Sequence, residues 1–322
     1  MLLLPLSLFK VSMRGSDMKT KKKQPKYMQD RINTGTLFLL PVLIMTTLMV
    51  IAPLIFVIVL SFNEWNGAFN KEFVFVGLEN YRNLKSMPGF LDMAKFTIFF
   101  AVVVTVLVNL ISLLMAFALD KPQRGKFVNR SFLRACWYIP ALIGGVSVGV
   151  IWRIMYNYNN GVINAVISSL GGNPVNWLES YGVAGWAVII ADVWVKLGMC
   201  IIIFLAGLQA IPQELYESAT IDGASTWQQR IHIALPLLAP SITINMVTTS
   251  IAAFKAYELP YTITKGLPGY STHLVTQMVQ FYSFQSLKYG SGAALAVLLI
   301  VLIAVIQLFQ LFFLNKNEEV NG

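Results

Sequence analysis

Five charge-free runs stand out in this chain: Ile32–Asn63, Phe96–Leu119, Ala135–Trp152, Leu197–Gln213 and Tyr289–Asn315. Crossing about 30 Å of hydrocarbon takes roughly 20 helical residues. Backbone N–H and C=O groups inside a bilayer must be satisfied internally, which leaves only helices or closed barrels. Barrel strands are short and alternate in polarity, so runs this long and unalternating predict helices. Composition supports the same solvent. The chain is 56% hydrophobic and 12% charged, against about 25% charged in an average soluble domain. A soluble fold of this size still leaves much of its surface exposed to water.

The spans follow from the runs. Ala135–Trp152 is short and is expected to extend to about Tyr156. Leu197–Gln213 must extend backwards through Asp192 and Lys196, giving a span near Val183–Leu208. A sixth apolar segment, Leu235–Tyr257, carries Lys255 near its end. The expected fold is all-α, a polytopic membrane protein with six transmembrane helices. No internal repeat at a fixed period is visible.

The net charge of +9 is informative through position rather than sum, because short loops rich in Lys and Arg stay cytoplasmic. Lys10, Arg14, Lys19, Lys21, Lys22, Lys23, Lys26 and Arg31 precede the first span. Lys121, Arg124, Lys126, Arg130 and Arg134 lie between spans two and three, Arg230 between four and five, and Lys316 in the tail. The other side holds Lys71, Arg82, Lys85, Lys95, Lys265 and Lys288. Both termini are therefore expected in the cytoplasm, and the basic surplus reads as topology, with no nucleic acid as partner. The leading Met1–Phe9 is apolar but too short to span and lacks the charged start of a signal peptide; Met13 and Met18 are alternative starts. Cys136 and Cys200 each sit in an apolar stretch and lack the paired spacing of a disulfide framework.

One connector is punctuated like a built element. Pro212 suits a first helical position. Glu214 and Glu217 sit in the first turns, where negative charge meets the positive helix end. Gly223 can adopt the left-handed conformation that stops a helix. Ser225 with Gln228 matches a capping box that starts another, and Pro236 marks the next boundary. The residues alone allow a solvated amphipathic connector or a docking knob. A DNA-reading helix pair is disfavoured, since Glu214, Glu217 and Asp222 outnumber Arg230 and phosphate contact needs cations.

Ionisable groups within spans are costly and are functional candidates. Asp192 and Lys196, four apart, share a helix face and can pair; Lys255 and Glu258, three apart, can do the same. With Trp194, Asn245 and Tyr257 nearby in sequence, the mixture of polar groups and rings suits a carbohydrate path. It equally suits structural ties, or a proton relay. The aromatic set Trp137, Tyr138, Trp152, Tyr156 and Tyr158 reads as interfacial belt and packing. Gly144 and Gly145 fit close helix packing. No phosphate loop is present: Gly125-Lys126 lacks both the upstream Gly and the following hydroxyl. His232 and His273 stand in separate segments with no metal spacing, and no nucleophile–base constellation is visible, so neither a metal nor a catalytic residue is expected.

The stretch Glu217-Ser-Ala-Thr-Ile-Asp-Gly-Ala224, followed by Ile231-x-Ile-x-Leu-Pro236, resembles the EAA loop of binding-protein-dependent ABC permeases. Trp194-x-Lys196, Ala206-Gly-Leu-Gln-x-Ile-Pro212, Leu235-Pro-Leu-Leu-Ala-Pro240, Ala253-Phe254, Thr264-x-Gly266 and Tyr289-Gly-x-Gly-Ala-Ala294 are similar to the sugar-transport, MalF-like branch. Ser218 departs from the usual Ala, and Thr264-Lys-Gly-Leu-Pro268 from the usual Gly-Gly-Pro. The resemblance implies a type I importer permease fold. Its layout would be a basic cytoplasmic tail over 1–35, a first helix and external loop over 36–93, a permease core over 94–312 with the EAA loop at 211–236, and a tail over 313–322. It implies a subunit that moves a sugar by alternating access, with a second permease, two ATPase chains that use ATP and Mg, and an extracytoplasmic solute-binding protein as partners. The chain itself would bind no cofactor. In the loop, Glu217 would be the ionic anchor, Ala219 and Gly223 would allow close approach, Asp222 would fix the turn, and Pro236 would close the motif. The readings that compete with it are an ion-coupled carrier using Asp192 or Glu258, and a membrane scaffold without a pathway.

Overall fold

The computed structural model describes residues 38–67, 73–120 and 130–321, with side chains of 130–134 and from 315 onward left aside. The basic N-terminal tail and the 121–129 connector therefore lie outside the described residues. Two compact units are distinguished, Met1–Ile55 and Phe56–Gly322.

Helices dominate, and they follow the apolar runs. α1 covers Phe38–Ser61 and has no charged residue to interrupt it. A two-residue antiparallel pair follows, β1 (Asn63–Glu64) with β2 (Val74–Phe75), in the register Asn63 opposite Phe75 and Glu64 opposite Val74. After the short α2 (Glu79–Asn83) comes α3, Phe90–Asp120. Its start is earlier than the charge-free run, because the helix absorbs Asp92 and Lys95, which the sequence placed in the external loop. α4 (Arg130–Leu142), α5 (Gly145–Met155) and α6 (Val162–Ser169) lead to α7, Val183–Gln209. That is the span expected near Val183–Leu208. α8 (Gln213–Ile221) and α9 (Thr226–Leu237) form the connector before α10 (Ala239–Phe254). α11 (Glu258–Thr264), α12 (Val275–Gln280) and α13 (Tyr289–Asn321) complete the order.

Among the described residues, four helices are long and apolar enough to cross a bilayer alone, and two bent pairs bring the total to six if each pair is one span. The pairs divide two of the six expected spans. Ala135–Leu142 and Gly145–Met155 meet at 106°. Pro140 cannot donate into the helical ladder, and Gly144, with ψ 144°, leaves the helix before α5 begins. The other pair, Thr226–Leu237 and Ala239–Phe254, bends by 66°. Here Pro236 lies inside the helix rather than at its boundary. A wider π-turn over Arg230–Ala234 precedes it, which relieves the clash a proline ring makes with the carbonyl four residues back. The helix ends at Phe254, so Lys255–Tyr257, which were expected within the span Leu235–Tyr257, lie beyond its end.

Inside Phe56–Gly322, the core is the seam between α3 and α7. Phe96, Phe100, Val104 and Val108 recur every fourth residue and are buried, the spacing that aligns side chains on one helix face. Ile98, Val102, Val106, Leu110 and Leu114 recur the same way on the other face and are exposed; such a face suits lipid or a second chain. Ile189, Ile201 and Phe204 of α7 fill the buried side. Glycines permit the tightest crossings. A Cβ on Gly198 would lie 2.9 Å from the Tyr138 Cα, so α4 can lie against α7 only because that side chain is absent. Gly145 and Gly149, one helical turn apart, bring α5 onto α11: a Cβ at Gly149 would stand 2.6 Å from the Thr262 Cβ and 3.3 Å from the Leu259 carbonyl. This is the small-xxx-small pattern of membrane helix pairs. Gly144 has no such neighbour; its part is the bend.

Candidate functional site

The connector 211–236 folds as two short helices joined by a tight turn, and backbone chemistry sets the turn. Gly223 has φ +80°, a conformation that L side chains rarely take. Its N–H donates to the Thr220 carbonyl at 3.1 Å, and the Ala224 N–H donates to the Ala219 carbonyl at 2.8 Å. Together these bonds make a Schellman motif, which satisfies carbonyls that a helix end would leave open. Ser225 then caps the next helix with both halves of the capping box: Ser225 N–H to Gln228 Oε1 at 2.8 Å, and Gln228 N–H to Ser225 Oγ at 3.3 Å. Asp222 stands at the C-cap with its N–H on the Ser218 carbonyl at 3.0 Å. The turn is thus held by main chain, and no hydrogen bond of the Asp222 carboxylate is found among the described residues.

Two side chains that the sequence reading passed over brace the segment. Gln229 Nε2 donates to Thr220 Oγ1 at 2.9 Å and lies 3.4 Å from both the Tyr216 and Ala224 carbonyls, lashing α9 onto α8 and the turn. Arg230 donates to the Phe117 carbonyl of α3 at 2.7 Å, with its guanidinium 5.3 Å from the Phe117 ring centre. Tyr216 and Asp120 line the same cleft as Arg230. Burial and the Asp120 carboxylate push the Tyr216 hydroxyl above its ordinary value, and Arg230 pulls the other way. Nothing in the spacing marked Gln229, and Arg230 was visible only as a lone cation counted for topology.

What remains on the outside is mixed. Glu217 is exposed and accepts from Gln213 Nε2 at 2.8 Å. Ala219 is half-buried. Around the turn, Ile221 is 87% exposed and Trp227 62% exposed. Two large apolar side chains are thus held outward on a braced, otherwise polar helix pair.

The intramembrane residues separate into two groups and one tie. Asp192, on α7, is buried and forms an ion pair with Lys196. Trp194 meets Trp152 edge-on at 5.7 Å, and the ring contacts continue to Tyr156 at 5.2 Å and Trp177 at 5.3 Å. The Tyr156 hydroxyl donates to the Ala187 carbonyl at 3.0 Å, so this ladder is packed core between α5 and α7. The second group sits at the break between α10 and α11. Lys255 is the C-cap of α10, Tyr257 stacks on Tyr261 at 5.5 Å, and Glu258 opens α11 against Gly145. Lys255 and Glu258 are exposed, and among the described residues they make no ion pair, because the helix stops between them. Asn245 belongs to neither group: it is fully buried, and its Nδ2 donates to the Cys200 carbonyl at 3.2 Å, tying α10 to α7. Cys136 and Cys200 are both free.

The fold and the loop place the chain in a class. Residues 109–317 match the family described as binding-protein-dependent transport system inner membrane component, and the chain belongs to it. It is a membrane permease component. The trehalose/maltose transport system permease protein MalF of Thermococcus litoralis is 34% identical over 271 residues, covering 84% of this chain and 89% of that protein. The probable starch degradation products transport system permease protein AmyD of Thermoanaerobacterium thermosulfurigenes is 32% identical over 262 residues, covering 81% and 86%. A chain of the bacterial alginate ABC transporter, solved in complex with an alginate pentasaccharide-bound periplasmic protein, superposes with a TM-score of 0.77 at 21% identity, covering 89% of this chain and 96% of that one.

Proposed function

We propose that this chain is one of two permease subunits in an ATP-driven importer of a sugar or short sugar oligomer. The observation that carries the reading is the 211–236 segment: a rigid, internally braced helix pair that holds Ile221 and Trp227 outward. A helix laid in a groove is a general recognition mode, and transmitting motion requires the rigidity that the Schellman turn and Gln229 supply. The named relatives, permeases for trehalose/maltose and for starch degradation products, support a sugar as cargo.

In this reading two ATPase chains hydrolyse ATP with Mg, and each coupling helix lies in an ATPase cleft with Glu217 as an ionic contact. An extracytoplasmic binding protein delivers the sugar to the opposite face. Both termini and the 211–236 segment are cytoplasmic. Import proceeds by alternating access, in which each ligand shifts the states only through its differential affinity for them. Asp192, Trp194 and Lys196 on α7, and Lys255, Tyr257 and Glu258 at the α10–α11 break, line or border the pathway.

The test is purification of the tagged chain from its native membranes with mass spectrometry of whatever comes with it. An ATPase chain and a second permease should accompany the wild type, and Ile221→Glu with Trp227→Glu should release the ATPase while the second permease stays. An ATPase that remains bound to the double variant would remove the docking assignment. Asp222→Cys, made after Cys136→Ser and Cys200→Ala, should react with maleimide only from the cytoplasmic side.

A further inference from the structure

We propose that Arg230 is the positioning residue through which the 211–236 segment moves α3, a span to which it is not joined in sequence. The proposal rests on the coupling reading above. The segment is covalently continuous with α7 on one side and α10 on the other, so any displacement reaches those two spans directly. Among the described residues, the Arg230 hydrogen bond to the Phe117 carbonyl is the one from this segment to an element that is not its neighbour in sequence, across 113 positions.

The chemistry of the contact argues against a bystander cation. A cation retained only for topology has no reason to leave water. Arg230 is instead half-buried, donates to a main-chain carbonyl near the Asp120 end of α3, and sits over the Phe117 ring. The negative pole of a helix lies at its C-terminal end, where cations are favoured. Combining a hydrogen bond with stacking needs a planar guanidinium, which an ammonium cannot imitate. Gln229, the preceding residue, lashes α9 to α8, so Arg230 extends from a braced body rather than a loose loop. Packing of α3 on α7 and on α10 offers other routes for the same motion, and the experiment separates them from Arg230.

The assembled transporter, with its ATPase chains, is spin-labelled in two pairs after Cys136→Ser and Cys200→Ala. One pair is Leu114→Cys on α3 with Val305→Cys on α13; the other is Ile244→Cys on α10 with Val305→Cys. All three positions are exposed on the chain. Electron–electron distances are measured without nucleotide and after trapping with MgATP and vanadate. Both pairs should shift in the otherwise unchanged protein. In Arg230→Gln the α10 shift should persist and the α3 shift should vanish, with partial return in Arg230→Lys. An α3 shift that survives Arg230→Gln overturns the proposal, as does an α3 that stays still while α10 moves in the parent. Should Arg230→Gln fail to assemble, Arg230→Lys combined with Phe117→Leu removes the planar fork and the ring together; an undiminished α3 shift there also overturns it. If trapping moves neither pair in the parent, the coupling reading falls, and this proposal falls with it.

Discussion

Replacing Gly223 isolates the backbone contribution to the 211–236 segment. A Cβ at this position would meet nothing within 4 Å, so Gly223→Ala introduces no clash with a neighbour. Its effect is conformational, because φ is +80° there. A left-handed conformation costs an L residue about 1–2 kcal/mol, which corresponds to roughly a 5- to 30-fold change in the equilibrium between formed and open turn. Gly223→Pro is harsher. A proline ring is locked near φ −65° and has no N–H, so it cannot adopt the observed angle and removes the 3.1 Å bond to Thr220. The lost bond adds about 1 kcal/mol to the conformational term. Hydrogen exchange at the Ala224 amide, which is bonded to Ala219 at 2.8 Å, reads the turn directly. Protection should fall by roughly 5- to 30-fold in the alanine variant, following the same conformational cost, and further in the proline variant, with amides of α3 and α7 unchanged. Wild-type exchange at Ala224 in Gly223→Pro would refute the argument that the left-handed glycine holds the turn.

Other consequences follow from packing and burial. Gly149→Val drives a branched side chain into Thr262 at the α5–α11 crossing, and overpacking of this kind costs about 1–3 kcal/mol, read as a lower melting temperature in detergent. Asn245→Leu removes the hydrogen bond from α10 to Cys200; intramembrane hydrogen bonds are worth about 0.6–1.7 kcal/mol, so a modest thermal loss with transport intact is expected, whereas transport lost at unchanged stability would return Asn245 to the pathway. Because Asp192 is buried against Lys196, Lys196→Met alone should destabilise by about 3–5 kcal/mol, and adding Asp192→Leu should recover most of it; a double variant as unstable as the single would refute the pairing. His273 lies in the turn between α11 and α12, where burial lowers its pKa and the nearby Gly266 backbone opposes the shift. The unfolded chain therefore takes the proton first, so this contribution is complete above about pH 6.5 and declines as pH falls below it. His273→Gln should flatten that stretch of the melting-temperature profile, and an unchanged slope would dismiss the histidine.

The sequence reading and the fold agree where one physical rule dominates. Absence of charge located α1, α3, α7 and α13, and the end of α7 fell within a residue or two of expectation, because hydrocarbon tolerates no competing signal. The capping box and the glycine turn were equally legible, since both depend on neighbours within a few positions. Breaks inside apolar runs were not. Pro140 and Gly144 lie in a stretch without charge, and absence of charge does not show that they turn it through 106° and set α5 against α11. The same limit applies to the charges. Asp192 and Lys196 share one helix and pair, whereas Lys255 and Glu258 have similar spacing but straddle a helix end that spacing cannot show. Arg230 is the clearest case of a residue whose role depends on a partner 113 positions away. A charge count could place it on one side of the membrane and could not place it on Phe117.

The central claim is that hydrolysis of ATP by partner chains drives a sugar through this permease. The direct measurement is uptake of radiolabelled trehalose, maltose and maltotriose into proteoliposomes holding the whole transporter, with the binding protein outside and ATP enclosed. At least one of the three should accumulate with ATP, none with a non-hydrolysable analogue, and accumulation should persist when an uncoupler collapses the proton gradient. Accumulation that persists without any ATPase chain, or that the uncoupler abolishes at constant ATP, would contradict the claim.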